Sequence, residues 1–252
     1  MSAIWQACQG PDRIGPLKIT AIRIVESQEQ IATTVLVDTL DEQHILEQLL
    51  DRTKPAPPHG AEKHHYLIWT PFRYPPLPHG SRFGSRMQPG IFYGSARLET
   101  ALAECAYYRF VFLSGLSVPL PSERLTTEHT TFEVQVATAA GVALDAPPFS
   151  QHAAAISDPL RYQAPQSLGS AMREAGVEAF TYRSARDVRG GTNIGAFTLA
   201  AIKRHRPNRL RQWICTTTPT TVSFIEVHTS SQPHRFPLES FLVAGVLPVP
   251  AC

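Results

Sequence analysis

Alternating apolar and polar positions predict several strands in this chain. Phe132, Val134 and Val136 alternate with the polar residues at 133 and 135, which is the two-residue period of a half-buried strand. Short apolar runs predict further strands. They lie at residues 66–69, 91–93, 177–182 and 222–227.

Helical spacing predicts two helices that bear on the organisation of the chain. After the strand at 91–93, Ser95 is expected to cap a helix whose apolar positions are Leu98, Ala101, Leu102, Cys105 and Ala106. Near the N-terminus, Thr39 and Glu42 form a capping box, and prolines follow at 55, 57 and 58. The apolar stripe of this second helix is Leu40, Ile45, Leu46, Leu49 and Leu50.

This pattern predicts a mixed α/β (α+β) fold with two parts. Residues 1–62 are expected to form an N-terminal helical extension that packs on the core or meets another subunit, and residues 63–252 a catalytic domain. Helices and strands intermix without a regular βαβ repeat or a G-x-G-x-x-G turn, which argues against a Rossmann domain.

Charge is balanced overall but unevenly distributed. The net charge of +2 argues against a general nucleic-acid binder. Residues 20–62 hold eight acids against three bases, whereas residues 183–211 hold eight bases against Asp187 alone. The basic segment is interpreted as an anion site, a partner surface or a solvated face. A non-enzymatic nucleic-acid-binding protein is the distant alternative, although no recognition motif supports it.

The remaining composition indicates a cytoplasmic protein. The four cysteines lie far apart, no secretory leader or long apolar run is visible, and the histidines lack metal-ligand spacing. We therefore expect a reducing compartment, no membrane association, no metal and no prosthetic group.

Candidate chemistry concentrates between residues 72 and 104. Arg73, Arg82 and Arg86 lie in Gly/Pro-rich sequence, and a guanidinium matches phosphate oxygens two at a time. Glu104 follows on the predicted helix, where a carboxylate stabilises the cation formed when a sugar–nitrogen bond breaks. With the aromatic ring of Tyr93 between them, these residues favour a dinucleotide such as NAD⁺ as substrate.

The same stretch resembles the RES domain, the toxin half of bacterial RES–Xre toxin–antitoxin pairs. The family pattern is an aromatic-Arg pair, a G-G-R-W-N-P-P block, a strand-end Tyr, and a Glu eleven residues later. Here Phe72-Arg73, Arg86, Tyr93 and Glu104 occupy those places, although Met87-Gln88 stands where the family has Trp-Asn.

The resemblance continues to about residue 200. It identifies Ser184 as the family serine, followed by G-G-T-N-I-G-A-F with Asn193 and Phe197. It implies a core similar to ADP-ribosyltransferases and a growth-arresting toxin that cleaves the nicotinamide–ribose bond of NAD⁺. Phosphate or water is the acceptor, which gives an NAD⁺ phosphorylase or glycohydrolase. A mono-ADP-ribosyltransferase that modifies a cellular protein is the alternative.

The resemblance also implies residue roles and partners. Arg73 and Arg86 would hold phosphates, Tyr93 would pack on the ribose or nicotinamide, Glu104 would stabilise the cation, and Ser184 would position the ribose. An Xre-type helix-turn-helix antitoxin is the expected partner, with nucleic acid reached only through it, and the toxin is expected to be a homodimer or larger.

Several residues have simpler interpretations. Arg82 would merely brace its loop, Asn193 would make a turn, and Tyr93 would be a core residue with a solvated hydroxyl. Glu104 would lie on the helix surface, paired with Arg97 or Arg109. Ser184 lacks the neighbours of a hydrolase nucleophile and is interpreted as a positioning hydroxyl.

Overall fold

The chain forms a mixed α/β structure, as predicted. The computed structural model describes residues 2–27, 37–74, 76, 78–118 and 122–249. Within these ranges the helices are α1 (Ala3–Ala7), α2 (Leu40–Thr53), α3 (Tyr66–Arg73), α4 (Leu98–Ser114), α5 (Ala153–Ile156) and α6 (Gln163–Glu174). The strands are β1 (Gly15–Glu26), β2 (Phe92–Ser95), β3 (Leu125–Ala143), β4 (Ala179–Arg183), β5 (Thr192–Ala196), β6 (Asn208–Thr217), β7 (Thr221–Glu226) and β8 (His234–Pro237).

The strands of the described chain form one eight-stranded sheet in the order β1-β2-β5-β4-β3-β6-β7-β8. Strand β1 also pairs with β3, so the pairings β1–β2, β2–β5, β5–β4, β4–β3 and β3–β1 form a closed circuit of five strands. Only the β3–β4 pairing in this circuit is parallel. Strands β6, β7 and β8 extend the sheet outward from β3.

Strand β1 corrects the expectation of a purely helical extension over residues 1–62. It pairs antiparallel with β3 from Gly15↔Gly141 to Glu26↔His129, so residues 15–26 belong to the central sheet. Leu17, Ile19 and Ala21 of β1 alternate with the polar Lys18 and Thr20, which is the two-residue period of a strand and was missing from the prediction. Residues 28–36 of the predicted extension lie outside the described residues.

Helix α2 begins with the predicted capping box. The backbone N–H of Glu42 donates to Thr39 Oγ1 at 3.2 Å, and Glu42 Oε2 accepts from the backbone N–H of Thr39 at 3.2 Å. The predicted apolar stripe is largely exposed: Leu40 is 82% and Ile45 56% accessible. This helix therefore presents apolar side chains to solvent rather than to the core.

Residues 66–69 form the start of helix α3, so the strand predicted there is wrong. His65 caps the helix, because its Nδ1 accepts from the backbone N–H of Leu67 at 3.3 Å. Only Ile68 in the helix is fully buried. A four-residue apolar run fits one face of a short helix as well as a strand, and the cap decides between them.

The other predicted strands are confirmed with shifted ends, and helix α4 lies against their sheet. Strands β2, β4 and β7 occupy the apolar runs at 91–93, 177–182 and 222–227. Helix α4 is buried on several sides, including at Leu102, Tyr107 and Phe110, which pack with Trp213 and Phe224 of β6 and β7. A helix enclosed in this way holds its side chains in fixed positions relative to the sheet.

Beneath α4, His129 of β3 is a buried histidine with a shifted pKa. Its Nε2 lies 3.0 Å from Thr127 Oγ1, and its ring packs edge-on against Phe224. Burial, together with the positive charge of Arg109, lowers the pKa of His129 from 6.5 to about 4. The folded protein therefore holds this imidazole neutral at pH values where the unfolded chain protonates it.

We predict that stability falls as the pH is lowered from 6.5 towards 4. In that window the unfolded state binds a proton at His129 that the folded state excludes, whereas above pH 6.5 both states are neutral and the stability is fully present. The contribution of one such group has a slope of at most about 1.4 kcal/mol per pH unit.

Urea unfolding at pH 7.5 and 4.5 measures this dependence. His129→Gln should lose less stability between the two pH values than the parent protein does. His59→Gln, at an exposed histidine, serves as the control and should behave like the parent. An unchanged pH dependence in His129→Gln would show that other groups account for the acid sensitivity.

Candidate active site

The carboxylate of Glu104 is the centre of a hydrogen-bonded group of predicted site residues. Its Oε1 accepts from Ser184 Oγ at 2.6 Å and from Asn193 Nδ2 at 2.6 Å. Glu104 lies half-buried on α4, Ser184 follows β4, and Asn193 lies on β5. Three residues that are far apart in sequence therefore meet at one oxygen atom.

The connection between β4 and β5 brings Ser184 and Asn193 to this point. The two strands are antiparallel, with Tyr182 opposite Asn193. Gly190 adopts φ +68, and a Cβ on Gly191 would lie 2.1 Å from Thr100 Oγ1 of α4. The two glycines thus permit a tight turn and a close approach of the β4–β5 loop to the helix.

Ser95 fixes the orientation of the Asn193 amide. The two residues are paired across β2 and β5, and Ser95 Oγ donates to Asn193 Oδ1 at 2.7 Å. With its oxygen occupied, the amide directs its NH₂ group to Glu104. The prediction that Ser95 caps α4 is wrong, because the helix begins at Leu98 and Arg97 is its N-cap.

The hydroxyl of Ser184 is fixed in a similar way. Its Oγ accepts the backbone N–H groups of Arg186 at 3.1 Å and Asp187 at 2.9 Å. The hydroxyl hydrogen is therefore free to donate to Glu104. The role of Ser184 as a positioning hydroxyl stays a prediction.

Asp187 secures this loop to the first turn of α4. Its Oδ2 accepts from Thr100 Oγ1 at 2.8 Å, and its Oδ1 pairs with Arg189 Nε at 3.3 Å. Burial opposes ionisation of Asp187, but the hydrogen bonds from Arg189 and Thr100 outweigh it and lower the pKa of the carboxyl. The loop is thus anchored to α4 three residues after Ser184.

Tyr93 uses its hydroxyl to hold the arginine-containing loop. The hydroxyl oxygen accepts from the backbone N–H of Phe83 at 3.1 Å and lies 3.0 Å from Ser81 Oγ. Burial raises the pKa of Tyr93 to about 12, so the phenol stays neutral. The solvated hydroxyl of the simpler interpretation is wrong; the role of the ring against a ribose stays a prediction.

Arg82 braces its loop, as the simpler interpretation proposed. Its Nη1 donates to the carbonyl oxygen of Asp158 at 2.6 Å, and its guanidinium lies 4.6 Å from the ring centroid of Tyr162. Only 8% of the residue is exposed. Direct phosphate binding by Arg82 stays a prediction.

The other two predicted arginines occupy the flanks of this region. Arg73 ends helix α3 rather than lying in an extended loop, and its Nε donates to the carbonyl oxygen of Pro55 at 2.6 Å. Arg86 is exposed. Gln88, where the family pattern has Asn, links the turn to α6 through Ser170 Oγ at 2.9 Å. The phosphate-binding roles of both arginines stay predictions.

Arg186 is a buried arginine beside the site that sequence reasoning did not select. It is 4% exposed, its guanidinium carbon lies 3.5 Å from the ring centroid of Tyr107, and its Nη2 donates to the carbonyl oxygen of Pro159 at 2.9 Å. The sequence showed it only as one base among eight in residues 183–211. A loop sequence has no regular alternation of apolar and polar positions, so it does not indicate which side chains are buried.

Tyrosines line the same region and remain protonated. Burial raises the pKa of Tyr107 to about 12 and that of Tyr182 well above its usual value. The negative charge of Glu104 contributes to both shifts, whereas the positive charge of Arg82 opposes them. The site thus combines one carboxylate with neutral phenols and buried guanidinium groups.

The alternative of a surface Glu104 is wrong. Arg97 pairs instead with Glu99 at 3.8 Å, and Arg109 pairs with Glu26 at 3.2 Å. Among the described residues, no cluster of three or more histidine, cysteine or acidic side chains suits a metal ion. No helix in the described part of the chain is long and apolar enough to cross a membrane.

Comparison with known proteins identifies the family. A model of the RES domain matches residues 57–217, and the chain therefore belongs to the RES domain family. One similar solved structure is a chain from the crystal structure of the M. tuberculosis MbcT–MbcA toxin–antitoxin complex. It shares 11% sequence identity with a TM-score of 0.45, over 86% of this chain and 92% of that one. No curated protein matches the sequence.

We predict that Asn193→Asp destabilises the protein in a pH-dependent way. The substitution keeps the size and the bond from Ser95, but it replaces a donor to Glu104 by a second carboxylate at about the same place. Loss of a buried hydrogen bond costs about 1–3 kcal/mol, and repulsion between like charges adds to it. The penalty should shrink as the pH is lowered, because protonation of the introduced carboxyl removes the repulsion.

Chemical denaturation at pH 7.5 and 4.5 checks this expectation. Asn208→Asp, at an exposed asparagine, introduces the same charge away from Glu104 and is the matched control. A penalty for Asn193→Asp that equals the control at both pH values would mean that the 193 amide does not stabilise Glu104.

Proposed function

We propose that this RES-domain protein is the toxin of a type II toxin–antitoxin pair and consumes NAD⁺ by cleaving its nicotinamide–ribose bond. The observation that supports this most directly is the arrangement around Glu104. Oε1 receives both hydrogen bonds, and Oε2 has no donor among the described residues. One oxygen is thereby fixed by the protein, while the other is available to a substrate.

A fixed carboxylate suits a reaction that develops positive charge. When the bond between ribose C1′ and the nicotinamide nitrogen breaks, its electron pair leaves with nicotinamide, and C1′ becomes cationic. A carboxylate held in advance stabilises that charge without having to reorient. Nicotinamide leaves as a neutral molecule, so the step needs no strong general acid.

The acceptor then completes the reaction. A phosphate oxygen that forms the new bond to C1′ gives ADP-ribose 1″-phosphate, whereas water gives ADP-ribose and releases a proton. Ser184 would position the ribose, and the ring of Tyr93 would pack beside it. Arg73, Arg82 and Arg86 are the proposed phosphate contacts. NAD⁺ is thus a substrate, and inorganic phosphate is the proposed co-substrate.

Incubation of the purified protein with NAD⁺, with and without inorganic phosphate, tests the proposal. NMR of the products distinguishes phosphorolysis from hydrolysis. Labelled NAD⁺ incubated with cell lysate would produce a labelled protein band if the protein is instead a mono-ADP-ribosyltransferase. Intact NAD⁺ under all three conditions would refute an NAD⁺-consuming activity.

We predict that Glu104→Gln lowers turnover by at least about 10²-fold, the scale of losing one electrostatic stabiliser. The amide oxygen of glutamine can still accept from Ser184 and Asn193, so folding should change little. NAD⁺ consumption and thermal unfolding of the same preparation give both quantities.

Glu174→Gln is the matched control, because Glu174 is exposed on another helix. Its turnover should equal that of the parent protein. Turnover of Glu104→Gln within a few-fold of the control would remove Glu104 from the mechanism.

We also predict that the protein acts as a toxin in cells. Its expression should arrest growth and deplete NAD⁺, and co-expression of an Xre-type antitoxin encoded beside it should restore both. Expression of Glu104→Gln at the same level should leave growth and NAD⁺ unaffected. Growth arrest with normal NAD⁺ would favour the transferase instead.

We further propose that the toxin is a homodimer or larger, with the exposed apolar stripe of α2 available for self-association. Light scattering of the purified protein measures its mass directly. A monomer at all concentrations would contradict this assembly.

A further inference from the structure

A concave surface lies beside the Glu104 group. It is a cavity of about 290 Å³ between the first turns of α4, the loop that follows Ser184, and the β8 region. The side chains that decide its chemistry are Glu99, Arg186, Asp187, Arg189, His234 and Arg235. This volume is at the small end of ligand sites, so it suits a compact group rather than a whole dinucleotide.

The cavity is lined by more arginine side chains than its carboxylates can pair with. Asp187 pairs with Arg189 at 3.3 Å, and Glu99 pairs at 3.8 Å with Arg97, which does not line the cavity. Both carboxylates are therefore neutralised by a neighbour. Arg186 and Arg235 also line the cavity, and neither has a carboxylate partner among the described residues.

Arg186 has an unused donor. Its Nη1 is buried and has no hydrogen-bond partner in the described part of the chain. Other buried arginines also have unpaired nitrogen atoms, but Arg186 is the one of them that lines this cavity. A buried guanidinium N–H without an acceptor is costly unless a ligand supplies one. An oxyanion is the natural acceptor, because the guanidinium fork matches phosphate oxygens.

The cavity is joined to the Glu104 group by a short rigid segment. Ser184 Oγ donates to Glu104 and accepts the backbone N–H groups of Arg186 and Asp187. Asp187 in turn is bonded to Thr100 of α4. A phosphate group bound by Arg186 would therefore be held by the same four-residue segment that orients the carboxylate.

We infer that this cavity is a phosphate subsite of the enzyme, anchored by Arg186 and Arg235. The inference rests on the proposed function and deepens it, because it names one buried and one exposed arginine that differ from Arg73, Arg82 and Arg86. Two sources have this chemistry: the diphosphate of the dinucleotide, and the inorganic phosphate that attacks C1′.

Calorimetry with ADP and with inorganic phosphate, each added to the parent protein, distinguishes the sources. The variants are Arg235→Gln, at an exposed position, and Arg186→Lys, which keeps the charge but loses the fork. Arg204→Gln is the control, since it removes one exposed positive charge from the same basic segment without lining the cavity. Thermal unfolding of each variant establishes that it is folded.

We expect Arg235→Gln to raise the Kd of one probe by about tenfold or more, the loss typical of one charge-assisted contact. A change for ADP alone assigns the cavity to the diphosphate, and a change for phosphate alone assigns it to the acceptor. If the parent binds neither probe, or if folded Arg235→Gln binds both as Arg204→Gln does, the inference is overturned.

Binding is measured without turnover, so the two proposals can fail separately. Binding that depends on Arg235 in a protein that leaves NAD⁺ intact would retain the phosphate subsite and refute NAD⁺ cleavage. Cleavage of NAD⁺ with unchanged Kd values in Arg235→Gln would retain NAD⁺ cleavage and refute the phosphate subsite.

Discussion

The site depends on one carboxylate oxygen that accepts two hydrogen bonds, one from the loop after β4 and one from β5. Glu104 belongs to a helix, whereas its donors Ser184 and Asn193 belong to the β4–β5 unit, so the contact fixes the helix relative to the sheet. Charge-assisted hydrogen bonds of this kind are shorter and stronger than those between neutral groups, so they hold the carboxylate in place. Its second oxygen accepts no hydrogen bond from the described residues.

The surroundings of this carboxylate are made from groups that do not change charge near neutral pH. Tyr107 and Tyr182 stay neutral because burial and the negative charge of Glu104 both oppose loss of their protons. The buried guanidinium groups of Arg82 and Arg186 lie over aromatic rings, which partly replace the solvent they have lost. The result is a fixed electrostatic environment, in which a substrate meets dipoles and charges that are already oriented.

Much of this arrangement could be predicted from the sequence, and the remainder has identifiable physical causes. The family resemblance predicted Glu104, Ser184 and Asn193, because short motifs can be matched in order even where the segments between them differ. Strand β1 was missed although Leu17, Ile19 and Ala21 alternate with polar residues, because this alternation is short and the pairing partner lies more than a hundred residues away in the sequence. Burial of Arg186 depends on the ring of Tyr107, a tertiary contact with no local pattern. Arg73 was expected in a loop because a proline follows two residues later, although helix α3 extends up to Arg73 itself.

The closed circuit of strands includes a strand that lies outside the region of sequence similarity to the family. The family match covers residues 57–217 and leaves out β1, whose backbone closes the ring between β2 and β3. Without β1, the ring would open and expose two strand edges with unpaired N–H and C=O groups, which invite pairing with other chains. Because β2 also carries Ser95, the residue that orients Asn193, the N-terminal segment supports the active-site geometry without supplying a side chain to it. The residues that carry the family resemblance thus give no indication of the strand that closes this circuit.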